Sequence, residues 1–302
     1  MLNIKRWVKS QLVIYKLNKT EGNGMIIHRI RNDEEFRAYQ ARNAERLSLH
    51  MDFLKEATAS GEEFLVKGYS YTAKKQVDFL VDYQHSDGIN VNWRERVCCP
   101  DTYFNNRMRA TFHLFDIEME AYPDSTIYIT EQVTPIYTYF SGKFKNVIGS
   151  EYLGDDLPLG ELNSVGIRNE DLCQLSFPDN AFDNLISLDV FEHVPEYKKA
   201  FSECARVLKP GGKMMWSVPF ISSSTENSIR AEIIDGEINH ILPPEYHGDP
   251  LSDKGVLCFQ HFGWEMLEQM RTVGFKDAYA LCYHSDEFGY LGGEQFMFIA
   301  IK

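Results

Sequence analysis

The sequence has no long apolar run. The longest near its C-terminus, Phe296–Ile301, is six residues, far short of the roughly 20 that a helix needs to span a bilayer. No stretch has the continuous apolar core of a secretory leader. Cysteine is scarce: six residues are scattered through 302, adjacent only at Cys98-Cys99, which gives neither a disulfide framework nor a complete zinc spacing. A reducing, cytoplasmic setting is the expectation. Basic residues are also in deficit, with 31 Lys and Arg against 44 Asp and Glu and a net charge of −13. Nucleic acid is a poor main partner for such a chain, because neutralising phosphates takes clustered Lys and Arg.

The charge is unevenly placed. Met1–Arg31 carries seven Lys or Arg against one acid, Glu21, a net of +6; the remaining chain has 24 basic and 43 acidic residues and stands at −19. Ile4, Val8, Leu12 and Tyr15 recur at helical spacing, with Lys5, Arg6, Lys9 and Lys16 mostly elsewhere, so residues 1–24 read as a basic amphipathic segment. Such a helix serves either as a solvated or domain-packed element, the reading taken, or as a weak peripheral contact with an anionic membrane surface. Asn32 followed by Glu35 resembles a helix start, and Phe36, Tyr39, Leu47, Met51 and Leu54 extend one amphipathic helix to Ser60-Gly61. Strand-like pieces at 64–66 and 77–83 follow, with turns at Gly68 and Asp87-Gly88. Residues 25–121 thus read as a helical segment with a small β module.

The most informative stretch is Glu170–Phe220. Leu185, Ile186 and Leu188 form a short apolar run bounded by turn signals, as in an interior strand of a parallel sheet. Tyr197, Ala200, Phe201, Cys204, Val207 and Leu208 then recur at helical spacing. Lys209 is expected to complement the helix C-terminus, Pro210-Gly211-Gly212 to end the helix, and Met214–Val218 to form the next strand. This is a βαβ crossover with acidic residues at the strand carboxyl ends, where open α/β sheets bind ligands. Thr126–Thr130, rich in β-branched residues, and Asn146–Ser150 read as earlier strands of the same sheet.

The phrases LSFPDNAFDNLISLDVFEHVPE and ARVLKPGG closely resemble the second half of the class I S-adenosylmethionine-dependent methyltransferase domain, of the type 11 kind, and the resemblance covers roughly residues 122–302. It implies an α/β fold: a Rossmann-like, doubly wound, mostly parallel seven-stranded sheet, preceded here by the helical and small β extension. It also implies S-adenosylmethionine lying across the strand carboxyl ends. Glu131 then faces the cofactor's ammonium, Glu151 its ribose hydroxyls, Asp171 and the Leu172 backbone N–H its adenine, and Asp189 the methyl-donor cleft. The alternatives are solvated or capping roles for Glu131 and Asp171. The chain departs from the family where a Gly-x-Gly-x-Gly loop is normal: Val133, Pro135 and Tyr137 stand at the glycine positions. The 64–110 module resembles an eroded zinc knuckle, with Ser70, Ala73, Cys99 and Thr102 at the ligand positions, and no metal is expected there. Asn105, Asn106, Arg107 and Arg109 either reach a ligand or cap and brace the following helix.

Residues 221–259 interrupt the domain. Asp235–Glu237 indicates a hairpin turn, and Glu245, Tyr246, His247 and Asp249 concentrate hydrogen-bonding groups. Long loops in compact domains are commonly functional. His247, paired with Asp249, is the first candidate for a catalytic base and His193 the second; structural turns are the competing readings. Aromatic residues near a sulfonium, Tyr137 or Tyr139, could add cation–π attraction. The function expected is methyl transfer from S-adenosylmethionine to an oxygen or nitrogen of a small molecule or glycan. The alternative is a catalytically inactive binding protein of the same fold. A metal-dependent hydrolase built on His240, Glu245, His247 and His261 fits no standard ligand spacing.

Overall fold

In the computed structural model, the backbone is described for residues 14–16 and 24–302. The basic amphipathic segment expected at 1–24 therefore lies almost wholly outside the described residues. Where it is described it is not helical, because Tyr15 falls in a strand, β1 (Ile14–Lys16), paired in parallel with β3 (Phe64–Ser70).

The chain divides into two compact units. The first takes Met1–His28, Gln40–Leu114 and Cys282–Gln295. Its three-stranded sheet runs β1-β3-β4, with β4 spanning Lys75–Val81. Phe64, Val66, Gly68 and Ser70 alternate inward along β3, the period of two that a half-buried strand requires. Leu54 packs with Val66, Phe79, Val81 and Val97 in the core. The knuckle-like positions do converge: Ser70 Oγ lies 3.3 Å from Cys99 Sγ and 3.3 Å from Thr72 Oγ1, which is 3.4 Å from Thr102 Oγ1. Hydroxyls here bond to one another and to a single thiol, where a zinc knuckle would present four soft ligands.

Arg109 is fully buried and donates to the carbonyls of Phe288, Val97 and Gly289 at 2.6, 2.9 and 3.0 Å. Asn105 accepts from Met108 N, Asn106 donates to Trp93 and Leu291 carbonyls, and Arg107 pairs with Glu95. These four residues brace α3 (Asn106–Glu118).

The second unit takes Arg29–Tyr39, Phe115–Leu281 and Phe296–Lys302. Both units differ from the linear division 25–121 and 122–302, because each draws on segments far apart in the chain. The single helix expected over 32–60 is two, α1 (Asp33–Arg42) and α2 (Ala44–Thr58), broken at Asn43.

Seven strands form the main sheet in the order β2-β15-β16-β8-β7-β5-β6. They are β2 (Ile26–Ile30), β5 (Thr126–Ile129), β6 (Asn146–Gly149), β7 (Phe182–Leu188), β8 (Leu208–Ser217), β15 (Asp277–Ser285) and β16 (Tyr290–Ile301). β6, β5, β7 and β8 pair in parallel and β16 pairs antiparallel with β8. The edge strand β2 comes from the segment read as an extension; at five residues its pattern is too short to announce a sheet partner.

α4 (Pro135–Lys143) joins β5 to β6, and α5 (Tyr197–Val207) joins β7 to β8. α5 buries Tyr197, Ala200, Phe201, Cys204 and Val207, as its spacing requires. Lys209 lies beyond the helix, in β8, and its ammonium pairs with Asp183 at 2.9 Å. α6 (Glu265–Thr272) follows the insertion.

The insertion holds β9 (Ser228–Ile229), the hairpin β10 (Ala231–Ile234) and β11 (Glu237–His240), and a second hairpin of β12 (Tyr246–Asp249) and β13 (Ser252–Leu257); β14 (Gln260–His261), just after it, pairs with β9. The first hairpin turns at Asp235-Gly236, both at positive φ, the conformation a tight two-residue turn needs. The second hairpin was not legible as such.

Candidate active site

The site begins at the carboxyl ends of β6, β5 and β7. Their parallel registers align Ile129 with Gly149 and Ile186, so Glu131, Glu151 and Asp189 leave the same sheet edge on neighbouring strands about 4.8 Å apart. A Glu151 oxygen, Oε1, accepts the backbone N–H of Gln132 at 2.6 Å and of Val133 at 3.0 Å. The Gln132 side chain donates to Gly166 O and accepts from Arg168 N, at 2.9 and 2.8 Å. The glycine-free loop is thus closed by the carboxylate at the end of the neighbouring strand β6.

α4 starts directly after this loop. Thr134 caps it by accepting from Tyr137 N, and Pro135 sits in its first turn, where the missing N–H costs nothing. The close approach that loop glycines normally permit is made from the other strand. A Cβ at Gly149 would lie 2.6 Å from the Tyr137 ring and 2.8 Å from the Glu131 carbonyl.

Asp171 Oδ1 accepts from Cys173 N at 2.7 Å, a local turn bond, and Leu172 beside it is buried. Asp189 sits at φ +53, with its backbone N–H on Ser217 O and its Oδ1 accepting from Ser217 Oγ, both at 2.8 Å. A non-glycine residue in the left-handed region is uncommon and Asp tolerates it; here it redirects the chain from β7 into the 3-10 turn Phe191–His193.

That turn carries Glu192, which is not among the candidate site residues expected from the sequence. The Glu192 side chain is fully buried, and neither carboxylate oxygen has a hydrogen-bond partner. Its Oε1 lies 3.6 Å from His247 Nδ1 and 3.8 Å from His193 Nε2. Burial raises the Glu192 carboxyl above the usual carboxylate range, and the Asp189 charge adds to the effect.

His193 Nδ1 is 2.8 Å from the Leu257 carbonyl. A carbonyl only accepts, so Nδ1 carries the proton and Nε2 holds the lone pair in the neutral ring. The His193 and His247 rings meet edge-to-face at 4.9 Å.

His247 meets two carboxylates among the described residues. Its Nε2 is 2.9 Å from Glu245 Oε1 and its Nδ1 faces Glu192; the Asp249 side chain lies outside the described residues. Glu192 and then Glu245 raise His247 to about 9. With only a proton on it, the ring favours the imidazolium, the opposite of what the expected role of first candidate base asks. Glu245 Oε1 also meets His261 Nε2 at 3.1 Å, and its Oε2 meets Arg230 at 3.1 Å. His240 lies on exposed β11, apart from this group. Among the described residues, no helix is long and apolar enough to cross a membrane.

A family described as a methyltransferase domain matches residues 138–216. A probable S-adenosylmethionine-dependent methyltransferase of Mycolicibacterium smegmatis is 34% identical over 79 residues, 25% of this chain and 30% of that protein. A sterol 24-C-methyltransferase of Gibberella zeae is 43% identical over 116 residues, 37% of this chain and 30% of that protein. A solved S-adenosylmethionine-dependent methyltransferase from Mesorhizobium loti aligns with a TM-score of 0.41 at 15% identity, over 64% of this chain and 98% of that one. The chain spans less than a third of the length of the curated relatives it matches.

The parallel crossover is Rossmann-like, and the segment that contains it, residues 138–216, matches a methyltransferase domain. The Mycolicibacterium smegmatis relative of this segment is described as S-adenosylmethionine-dependent, and that is the cofactor to test against the residues present. The residues present fit that cofactor: carboxylates at adjacent strand ends only accept hydrogen bonds, and their charge suits an ammonium, a ribose diol and a sulfonium.

Proposed function

We propose that this protein transfers a methyl group from S-adenosylmethionine to an oxygen or nitrogen of a small molecule or glycan. The observation that carries the reading is the row of Glu131, Glu151 and Asp189 at the carboxyl ends of three adjacent parallel strands. In it, Glu131 holds the cofactor's ammonium, Glu151 its ribose, and Asp171 with the Leu172 N–H its adenine. S-adenosylmethionine supplies a methyl already activated on a positively charged sulfur. The protein's task is then alignment of the acceptor, a proximity effect able to supply several kcal/mol of the barrier reduction, about 7–11 in favourable systems.

For a hydroxyl or ammonium acceptor, His193 Nε2 takes the proton, because the Leu257 carbonyl fixes its tautomer. Glu192, 3.8 Å away, then stabilises the imidazolium. The acidic body keeps nucleic acid out of this reading. Weak membrane contact through the basic N-terminal residues, in a cytoplasmic protein, belongs to the same proposal.

A second reading is favoured by one observation. Glu151 already accepts two N–H groups of the loop beside it, which suits a methyltransferase fold that has lost catalysis and serves as a binding protein. Calorimetric titration with S-adenosylmethionine, followed by a screen of metabolite extracts with methyl-labelled cofactor, tests both. Saturable binding with labelled product supports the enzyme. Binding without product in any extract favours the inactive protein, and no binding at millimolar cofactor sinks the cofactor assignment.

A further inference from the structure

We infer that Glu245, His247, Cys258 and His261 form a four-ligand site for a zinc ion, which closes the base of the second hairpin of the insertion onto β14. One ligand atom from each of the four lies within 4.8 Å of the other three. The site stands whether or not the chain transfers methyl groups.

The ligands come as two short pairs, Glu245-x-His247 and Cys258-x-x-His261, separated by a hairpin. Tyr246 pairs with Leu257 at the hairpin base, and Cys258 N donates to Glu245 O at 2.8 Å. The backbone therefore holds the two pairs together before any ion binds. Two pairs of ligands presented from the two arms of a turn are a common way to build a tetrahedral zinc site.

The distances suit zinc. Zn–N and Zn–O bonds of about 2.0 Å and a Zn–S bond of about 2.3 Å place tetrahedral ligand atoms roughly 3.3–3.5 Å apart. His247 Nε2 and His261 Nε2 are 2.9 and 3.1 Å from the same oxygen, Glu245 Oε1, so small outward shifts open the centre. One thiolate and one carboxylate with two neutral imidazoles exactly balance a divalent cation in charge. A sulfur and two imidazoles select a borderline-soft ion over magnesium or calcium.

The surroundings are those of a metal's outer shell. Metal-bound histidines usually donate their other ring N–H to a carboxylate or carbonyl. His247 Nδ1 faces the buried Glu192 carboxylate at 3.6 Å, and neither of that carboxylate's oxygens has another hydrogen-bond partner. Arg230 takes Glu245 Oε2, leaving Oε1 turned toward the two imidazoles. Four protein ligands close the coordination sphere, so the ion's role is structural. It frees His247 of any part in proton transfer and leaves His193 for that task.

The test uses the full-length chain, stripped with a chelator, confirmed folded by circular dichroism, and titrated with Co2+ as a spectroscopic stand-in. The expected result is one equivalent bound, with the visible absorption of tetrahedral cobalt and a thiolate-to-metal band in the near ultraviolet, both abolished by added Zn2+. Cys258→Ser should remove the thiolate band, and His261→Ala should weaken binding by at least about tenfold. Glu192→Gln should weaken it about tenfold as an outer-shell change. If Cys258→Ser does not fold, zinc added to the stripped wild-type protein must still bind at one equivalent and raise its melting temperature. Absence of saturable binding to the wild type, octahedral cobalt spectra, or a spectrum untouched by Cys258→Ser overturns the site. Because S-adenosylmethionine titration is read separately, its failure leaves the metal result standing.

Discussion

The Tyr137 ring packs so closely over Gly149 that a Cβ there would come within 2.6 Å of it. One residue belongs to the helix after the loop that lacks glycines, the other to the end of the neighbouring strand. The freedom from side chains has moved from the loop to the strand, and the helix still approaches the sheet. Gly149→Ala is therefore expected to destabilise the protein by about 1–3 kcal/mol through overpacking, measured by urea unfolding. Tyr137→Ala combined with it should recover part of that loss. Full additivity of the two changes would contradict the contact.

Glu151 is expected to set the affinity for the cofactor. Glu151→Ala removes the acceptor of two loop N–H groups as well as the proposed ribose ligand. Loss of hydrogen bonds to a charged group should weaken S-adenosylmethionine binding roughly ten- to hundredfold, read by calorimetry. An unchanged affinity removes Glu151 from the site.

His193 is expected to separate chemistry from binding. His193→Ala should lower kcat about a hundredfold or more, the usual scale of general-base loss, with cofactor affinity unchanged. A variant of wild-type rate would assign His193 to structure alone.

The first unit contains an acid-sensitive group. His50 is held down to about 4, chiefly by burial and then by the neighbouring His284; its Nε2 lies 2.7 Å from the Gly292 carbonyl. Its folded value is depressed below the ordinary 6.5, so the unfolded chain binds the extra proton. Its contribution is whole above about pH 6.5 and is lost as pH falls toward 4, up to about 3 kcal/mol. His50→Gln, which keeps a donor for Gly292, should flatten stability across that window in thermal unfolding. An unaltered slope would show that other groups govern acid sensitivity.

Local pattern was enough for much of this protein. Short apolar runs between turn signals marked β7 and β8, and helical spacing marked the buried face of α5, because these follow from backbone periods of two and 3.6 residues. The resemblance carried by residues 170–220 led to the sheet class and the cofactor. It also placed Glu131, Glu151 and Asp189 at strand ends, which needs only the order of elements. The hairpin at Asp235-Gly236 was legible because its turn demands residues that tolerate positive φ.

Tertiary structure decided the rest. Nothing in the composition of Ile26–Ile30 tells it to close the far edge of the main sheet, and Lys209 gave no sign that it pairs with Asp183 across a crossover. Arg109 was open between a ligand contact and a brace of its own helix, and it is a buried brace for three carbonyls. Above all, Glu192, Glu245, His247, Cys258 and His261 are dispersed over 70 positions of the sequence. The last four meet at the base of the second hairpin, and Glu192 joins them only when that hairpin packs on the turn after β7. Sequence fixes which ligand atoms exist, whereas their separation, burial and shared protons depend on contacts between segments that no local period encodes.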